Sequence, residues 1–211
     1  MDLAQLKGQY DAVYSLGSNC YPAQRLERYG LRPYSGVIDW MYSNSIPGLT
    51  KLLRSGFANF MHPDNMVVDG TEFNNYNYSV KDCFYEVQSV HDFLVSEQLE
   101  GITHKYPEFH ATLQRRIARF LQKTEQSRMI LFFRLNASFE EAVQLEAALA
   151  ARVANQFRLL VVNPVSRKEV FDCGWPLANT CGLELPAEWD EHSDLLWNAV
   201  FAGITYHPPA E

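Results

Sequence analysis

The sequence is short of basic charge. Its 18 lysines and arginines stand against 25 aspartates and glutamates, a formal net charge of −7. Apart from Arg115–Arg116 the cations are scattered, so there is no electrostatic footprint for a phosphate backbone and nucleic acid is not an expected partner. Long apolar runs are missing too: none reaches the roughly 18 residues of a membrane span. The opening "MDLAQLKGQY" has no basic start leading into an apolar stretch and a small-residue cleavage site. A soluble, cytoplasmic protein with no membrane partner is expected. Cysteines are few and irregularly spaced (Cys20, Cys83, Cys173, Cys181), which argues against a disulfide framework and for reduced thiols. Cys173, Cys181, His192 and His207 share one stretch but lack the close Cys-x2-4-Cys or His-x3-5-His pair of a zinc site, so neither metal nor other cofactor is expected.

What is present is the composition of a globular domain: 47% hydrophobic residues over 211 positions, enough to bury a substantial core. No internal repeat or low-complexity linker divides the chain, and residues 1–211 read as a single α/β domain. The clearest architecture lies in the C-terminal half. "RMILFFRL" is apolar on both faces, "SFEEAVQLEAALAARVANQ" is a helix opened by Ser138 with Glu140 and Glu141 in its first turn, and "FRLLVVNP" is a second buried strand. This βαβ unit predicts a mixed or mainly parallel sheet flanked by helices on both faces.

Elsewhere the pattern is more broken. "YDAVYSLG" reads as a strand, Gly17-Ser18-Asn19 as a turn, and "AQRLERYG" as a helix stopped by Gly30. Ser45 is placed to cap a helix carrying Leu49, Leu52, Leu53 and Phe57. Residues 62–82, rich in Asn, Asp and Tyr, form a loop-rich excursion or small hairpin, a candidate lid or substrate wall. "CFYEVQSVHDF" reads as a strand delivering His91 and Asp92 near its end. Helical spacing of Phe109, Leu113, Ile117, Phe120 and Leu121 marks a helix over 107–126, with Arg115, Arg116 and Arg119 expected on its solvated face. The C-terminal "LLWNAVFAGITYH" fits a helix, a strand, or one after the other.

The chemistry concentrates at Cys20. With Ser18 or Asn19 as N-cap, Cys20 falls in the first turn of a helix, where free N–H groups and the dipole lower a thiol pKa. The same N–H groups could hold an oxyanion, with Gly17, Ser18 and Asn19 bordering the substrate. A thiolate needs a base, and His91, at a strand end, is the candidate if its strand lies parallel beside the first one; His207 is the reserve. Asp92, Asp39 and Asn136 are the candidates for a third polar group, and Arg134 for binding a substrate carboxylate. The plainer alternative is that Cys20 is a small buried hydrophobe and His91 a hydrogen-bonded core residue.

Taken together, "SLGSNCYPAQRLERYGLRPYSGVIDWMYS", "HDF" and "RRIARFL…ILFFRL" resemble a mainly bacterial family described as "putative papain-like cysteine peptidases". The positions carrying the resemblance are Ser15-Leu16-Gly17, Cys20, Leu31-Arg32 with Ser35, Asp39-Trp40 and His91-Asp92, within roughly Asp11 to Leu135. It implies a thiol hydrolase or transferase in which Cys20 attacks a carbonyl of a peptide or small-molecule substrate and His91 acts as base, with Ser35 and Trp40 beside them. The strand, Gly-x-nucleophile and helix order also resembles the first block of SGNH hydrolases, with Cys20 or Ser18 near the nucleophile position. The Asp-x-x-His of that family is absent, since Asp194 is followed by Trp197. A third reading is a non-catalytic module holding a phosphate or carboxylate on the helix N-terminus. The sequence specifies no oligomeric state.

Overall fold

In the computed structural model, which describes residues 1–208, the chain runs in the following order. Helix α1 (Leu3–Leu6) leads into strands β1 (Gly8–Tyr10) and β2 (Ala12–Ser15), then helix α2 (Tyr21–Arg28), β3 (Met41–Tyr42) and α3 (Ile46–Arg54). A hairpin of β4 (Met66–Glu72) and β5 (Asn77–Asp82) follows, then β6 (Val87–Ser89) and the long helix α4 (Gln98–Gln126). The chain continues through β7 (Met129–Leu135), α5 (Phe139–Ala150), β8 (Gln156–Pro164), β9 (Phe171–Asp172), β10 (Thr180–Leu185), α6 (Glu191–Phe201) and β11 (Ile204–Tyr206).

The central sheet has the order β2-β7-β8-β10-β9. Its first four strands are parallel, and β9 runs antiparallel on the outer edge. The expected βαβ unit is β7-α5-β8, in register from Met129 opposite Gln156 to Leu135 opposite Val162. Ser138 caps α5 through a reciprocal capping box with Glu141, and Ser45 caps α3 by accepting the Gly48 N–H at 3.1 Å.

Because successive strand residues point to opposite faces, the sheet divides the apolar residues into two cores. Tyr14, Phe132, Leu159 and Val161 face α3, α4 and α5, whereas Val13, Phe133, Leu160, Val162 and Leu183 face α1, α2 and α6. The fold is therefore α/β, with a mixed, mainly parallel sheet flanked by helices on both faces. No helix among the described residues is long and apolar enough to cross a membrane.

Three local readings change. The strand leading to His91 is not a neighbour of β2. It is the short β6, in a separate antiparallel sheet of order β3-β6-β5-β4, and Cys83–Glu86, read as part of that strand, is a turn. The α4 helix starts well before position 107 and runs through Pro107; the lost N–H is a local cost that the buried Phe109, Leu113, Ile117 and Phe120 offset. Finally, the arginines of α4 are not all solvated: Arg119 donates to the Ser35 carbonyl at 2.7 Å and lies over Tyr34, and Arg116 is half-buried. The stretch 62–82 is a short 3-10 turn followed by a hairpin.

Candidate active site

Strand β2 ends at Ser15, and the chain must turn sharply to enter α2. Gly17 does this at φ +71°, where a Cβ would also lie 2.6 Å from Ser43 Oγ, so no other residue fits without a shift. Ser18 follows at φ 85°. Its N–H donates to Ser43 Oγ at 3.1 Å and its carbonyl accepts from the Ser43 N–H at 3.1 Å. Beneath this turn lies Arg134. One guanidinium nitrogen donates to the Leu16 carbonyl and Ser43 Oγ, both at 2.8 Å, and the other to the Ser43 carbonyl at 2.7 Å.

The turn delivers Cys20 as the N-cap of α2 rather than as a residue of its first turn. The donors there are also fewer than the helix start suggests: Asn19 Oδ1 takes the Tyr21 N–H at 2.9 Å, and Pro22 has none. Across a cleft of about 270 Å³ stands His91, with Nε2 3.3 Å from Cys20 Sγ. The two residues singled out from sequence are thus brought together, although by two different sheets rather than by the rim of one.

Aromatic side chains hold the imidazole. Phe73, at the tip of the β4–β5 hairpin, stacks on it at 4.6 Å between ring centroids, and Trp40 meets it edge-on at 6.1 Å. Trp40 is placed by a polar knot. The Arg32 guanidinium lies 5.0 Å from its ring centroid, donates to Asp39 Oδ2 at 2.8 Å and to Ser35 Oγ at 3.0 Å, while the Gly36 N–H also donates to Asp39 Oδ2 at 2.7 Å. Arg32, Ser35, Asp39 and Trp40 of the sequence pattern meet in this knot, while Leu31 is buried in the core on the α2 side. Asn19, Tyr21, Gln24 and Tyr42 complete the cleft.

The electrostatics reverse the expected thiol shift. Burial pushes the Cys20 thiol up to about 11, and the Asp39 carboxylate adds to the rise. Burial lowers the His91 pKa below its ordinary value, with Asp92 opposing. Both groups are therefore favoured in their neutral forms at pH 7, an S–H facing an imidazole nitrogen rather than a preformed ion pair. Burial is the main cause, and the helix start offers little against it, since Asn19 Oδ1 takes the Tyr21 N–H and Pro22 has none.

The other sequence candidates have structural partners. Asp92 accepts from Ser89 Oγ at 2.5 Å and Asp39 is committed to Arg32 and Gly36, so neither orients the imidazole by a hydrogen bond. Arg134 is 1% exposed and cannot reach a substrate carboxylate. Asn136 donates to Ser18 Oγ at 3.3 Å instead of to His91, and Ser35 lies in the Arg32 knot. His207 follows β11, where its N–H bonds the Tyr10 carbonyl, and it does not line the cleft. Ser15 and Ser18 are buried, with Ser15 Oγ accepting the Gly17 N–H, so no serine stands in the position the SGNH reading requires. Phe73 was missed as an individual residue, although its hairpin was marked as a wall. Cys83, Cys173 and Cys181 are free thiols that do not line this cleft.

An α/β fold that presents a thiol and an imidazole to one another across an open cleft has the layout of a cysteine peptidase-like hydrolase. The chain belongs to the family described as "putative papain-like cysteine peptidase", which matches residues 11–164. That match covers the Gly17–Cys20 turn, the Arg32 knot, the His91 loop and the whole βαβ unit. No curated protein and no solved structure matches the chain.

Proposed function

We propose that the protein is a thiol hydrolase that transfers an acyl group from an amide or ester to Cys20, with His91 as general base. The observation that carries this reading is the 3.3 Å contact between Cys20 Sγ and His91 Nε2 at an accessible cleft. As Sγ attacks the carbonyl carbon, its proton passes to Nε2. His91 then gives that proton to the leaving amine or alcohol, and water, deprotonated by the same imidazole, cleaves the thioester. The Cys20 backbone N–H and the side-chain amide of Gln24, which lines the cleft, are the proposed oxyanion donors. The anion-binding alternative is weakened by the loss of helix donors to Asn19 and Pro22.

The test is acyl capture: incubation with activated esters and peptides, followed by mass spectrometry of the intact chain and of its peptides. An acyl adduct on Cys20 that turns over supports the reading; labelling confined to the exposed Cys83 would sink it.

The pH dependence separates a neutral pair from an ion pair. His91 acts as base only when neutral, so kcat/KM is expected to rise with pH through an ionisation below about 6.5 and then level off. Direct alkylation of Cys20, which needs the thiolate, is expected to keep climbing toward about 11. A plateau in the alkylation rate reaching down to about pH 5 would instead indicate a preformed ion pair.

Phe73 is 45% exposed at the hairpin tip, so its truncation has little core to disturb. Phe73→Ala is expected to lower kcat/KM by about two- to tenfold, the worth of one aromatic contact to the imidazole, with the denaturation midpoint unchanged. An equal loss in midpoint and activity would mean that the hairpin itself had come apart.

A further inference from the structure

A second cavity, of about 170 Å³, lies beyond the His91 cleft on the α4 side. Its volume is several times what a single water needs. Phe109 and Leu113 form an apolar floor, and their helix also presents Lys105, Glu108, Thr112 and Arg116, with Asp92 on the facing loop. Spacings of three and four residues place the helical set along one face.

The charges here are unequal in their commitments. Lys105 and Glu108 satisfy one another at 2.9 Å at the exposed rim. Arg116 makes neither an ion pair nor a hydrogen bond among the described residues, though it is half-buried. Its cationic neighbours are occupied, Arg32 with Asp39 and Arg119 with the Ser35 carbonyl. Asp92 uses one oxygen on Ser89, and the other has no partner among the described residues. A guanidinium and a carboxylate thus line one partly enclosed space without touching, above an apolar floor. Arg116 loses hydration there without gaining a partner and Asp92 gains only the Ser89 hydroxyl, an arrangement that costs free energy unless something spans the gap.

We propose that this cavity binds a small zwitterion, an α-amino acid with an apolar side chain. Its carboxylate would lie on the Arg116 fork, its ammonium on the second oxygen of Asp92, and its side chain against Phe109 and Leu113. Thr112 supplies a hydroxyl beside the carboxylate. The site uses neither Cys20 nor His91, so it stands or falls independently of the acyl-transfer reading.

The experiment is calorimetric titration of the full chain with glycine, alanine, valine and leucine, followed by the amine and the carboxylic acid that correspond to the tightest binder. At least one of the four is expected to bind saturably, and each half-analogue at least about tenfold more weakly, the loss of one charge-assisted contact. Arg116→Gln is expected to abolish binding, and Arg116→Lys, which keeps the charge but not the fork, to weaken it. Absence of saturable binding of all four by the wild type overturns the proposal. So does a carboxylic acid that binds as tightly as the amino acid, which would mark a simple anion site. Unchanged binding in the folded Arg116→Lys and Arg116→Gln variants would place the ligand elsewhere.

Discussion

Cys20→Ala is expected to reduce hydrolysis of an activated acyl substrate by at least about a thousandfold, and His91→Ala by roughly 10²- to 10⁴-fold. The two losses should not add. With the thiol pushed up to about 11, the nucleophile exists at pH 7 almost entirely as S–H, and attack depends on the proton leaving for Nε2 as the carbon–sulfur bond forms. Removing His91 therefore removes most of what Cys20 can do, and the double variant should be close to the Cys20 variant alone. Conversely, the His91 variant should recover rate at high pH, where hydroxide ionises the thiol, whereas the Cys20 variant should not. Steady-state rates of the three variants across pH measure this directly. Additive losses, or a Cys20→Ala protein retaining a tenth of the activity, would remove the pair from the mechanism.

Arg134→Met is expected to destabilise the fold by about 3 kcal/mol or more, because three buried acceptors on Leu16 and Ser43 lose charge-assisted donors and at least some are left unpaired. The guanidinium is 1% exposed and its pKa is pushed down to about 10 by burial. Its charge is not neutralised by an ion pair; it is dispersed over carbonyl and hydroxyl oxygens. Since those oxygens belong to the chain entering and bracing the Gly17-Ser18 turn, the variant should also weaken the Cys20–His91 contact in molecules that remain folded. Urea denaturation gives the first effect, and activity per folded molecule the second. A midpoint change worth less than about 1 kcal/mol would show that water or a rearranged backbone takes over those acceptors.

Arg134 also illustrates what could and could not be read from the residues. An arginine at the end of an apolar strand suggested a group at the sheet rim ready for a substrate, and nothing in the sequence reveals that Ser43, 91 positions away, turns its carbonyl and hydroxyl inward to receive it. The βαβ unit was legible because apolar strands, a capping box and helical spacing all act within a few residues of each other. Cys20 and His91 were legible as residue types at element ends, and their meeting was expected only if their strands were parallel neighbours, which they are not. The route by which they do meet was not legible, because the β6 sheet is held by β3, β4 and β5 through pairings that leave no local pattern. The thiol pKa went the other way because the fold buries Cys20 and sets it near the Asp39 carboxylate, neither of which the helix-start pattern reveals.

The arrangement of the pair on two sheets has a consequence for the chain as a whole. The thiol belongs to the parallel layer and the imidazole to the small antiparallel one, so a molecule in which only one of them has formed carries half a site. In the proposed reaction only a copy whose two layers have docked brings Sγ within 3.3 Å of Nε2, and an unfolded copy, released from the burial that pushes the thiol up, carries an ordinary cysteine with no base beside it.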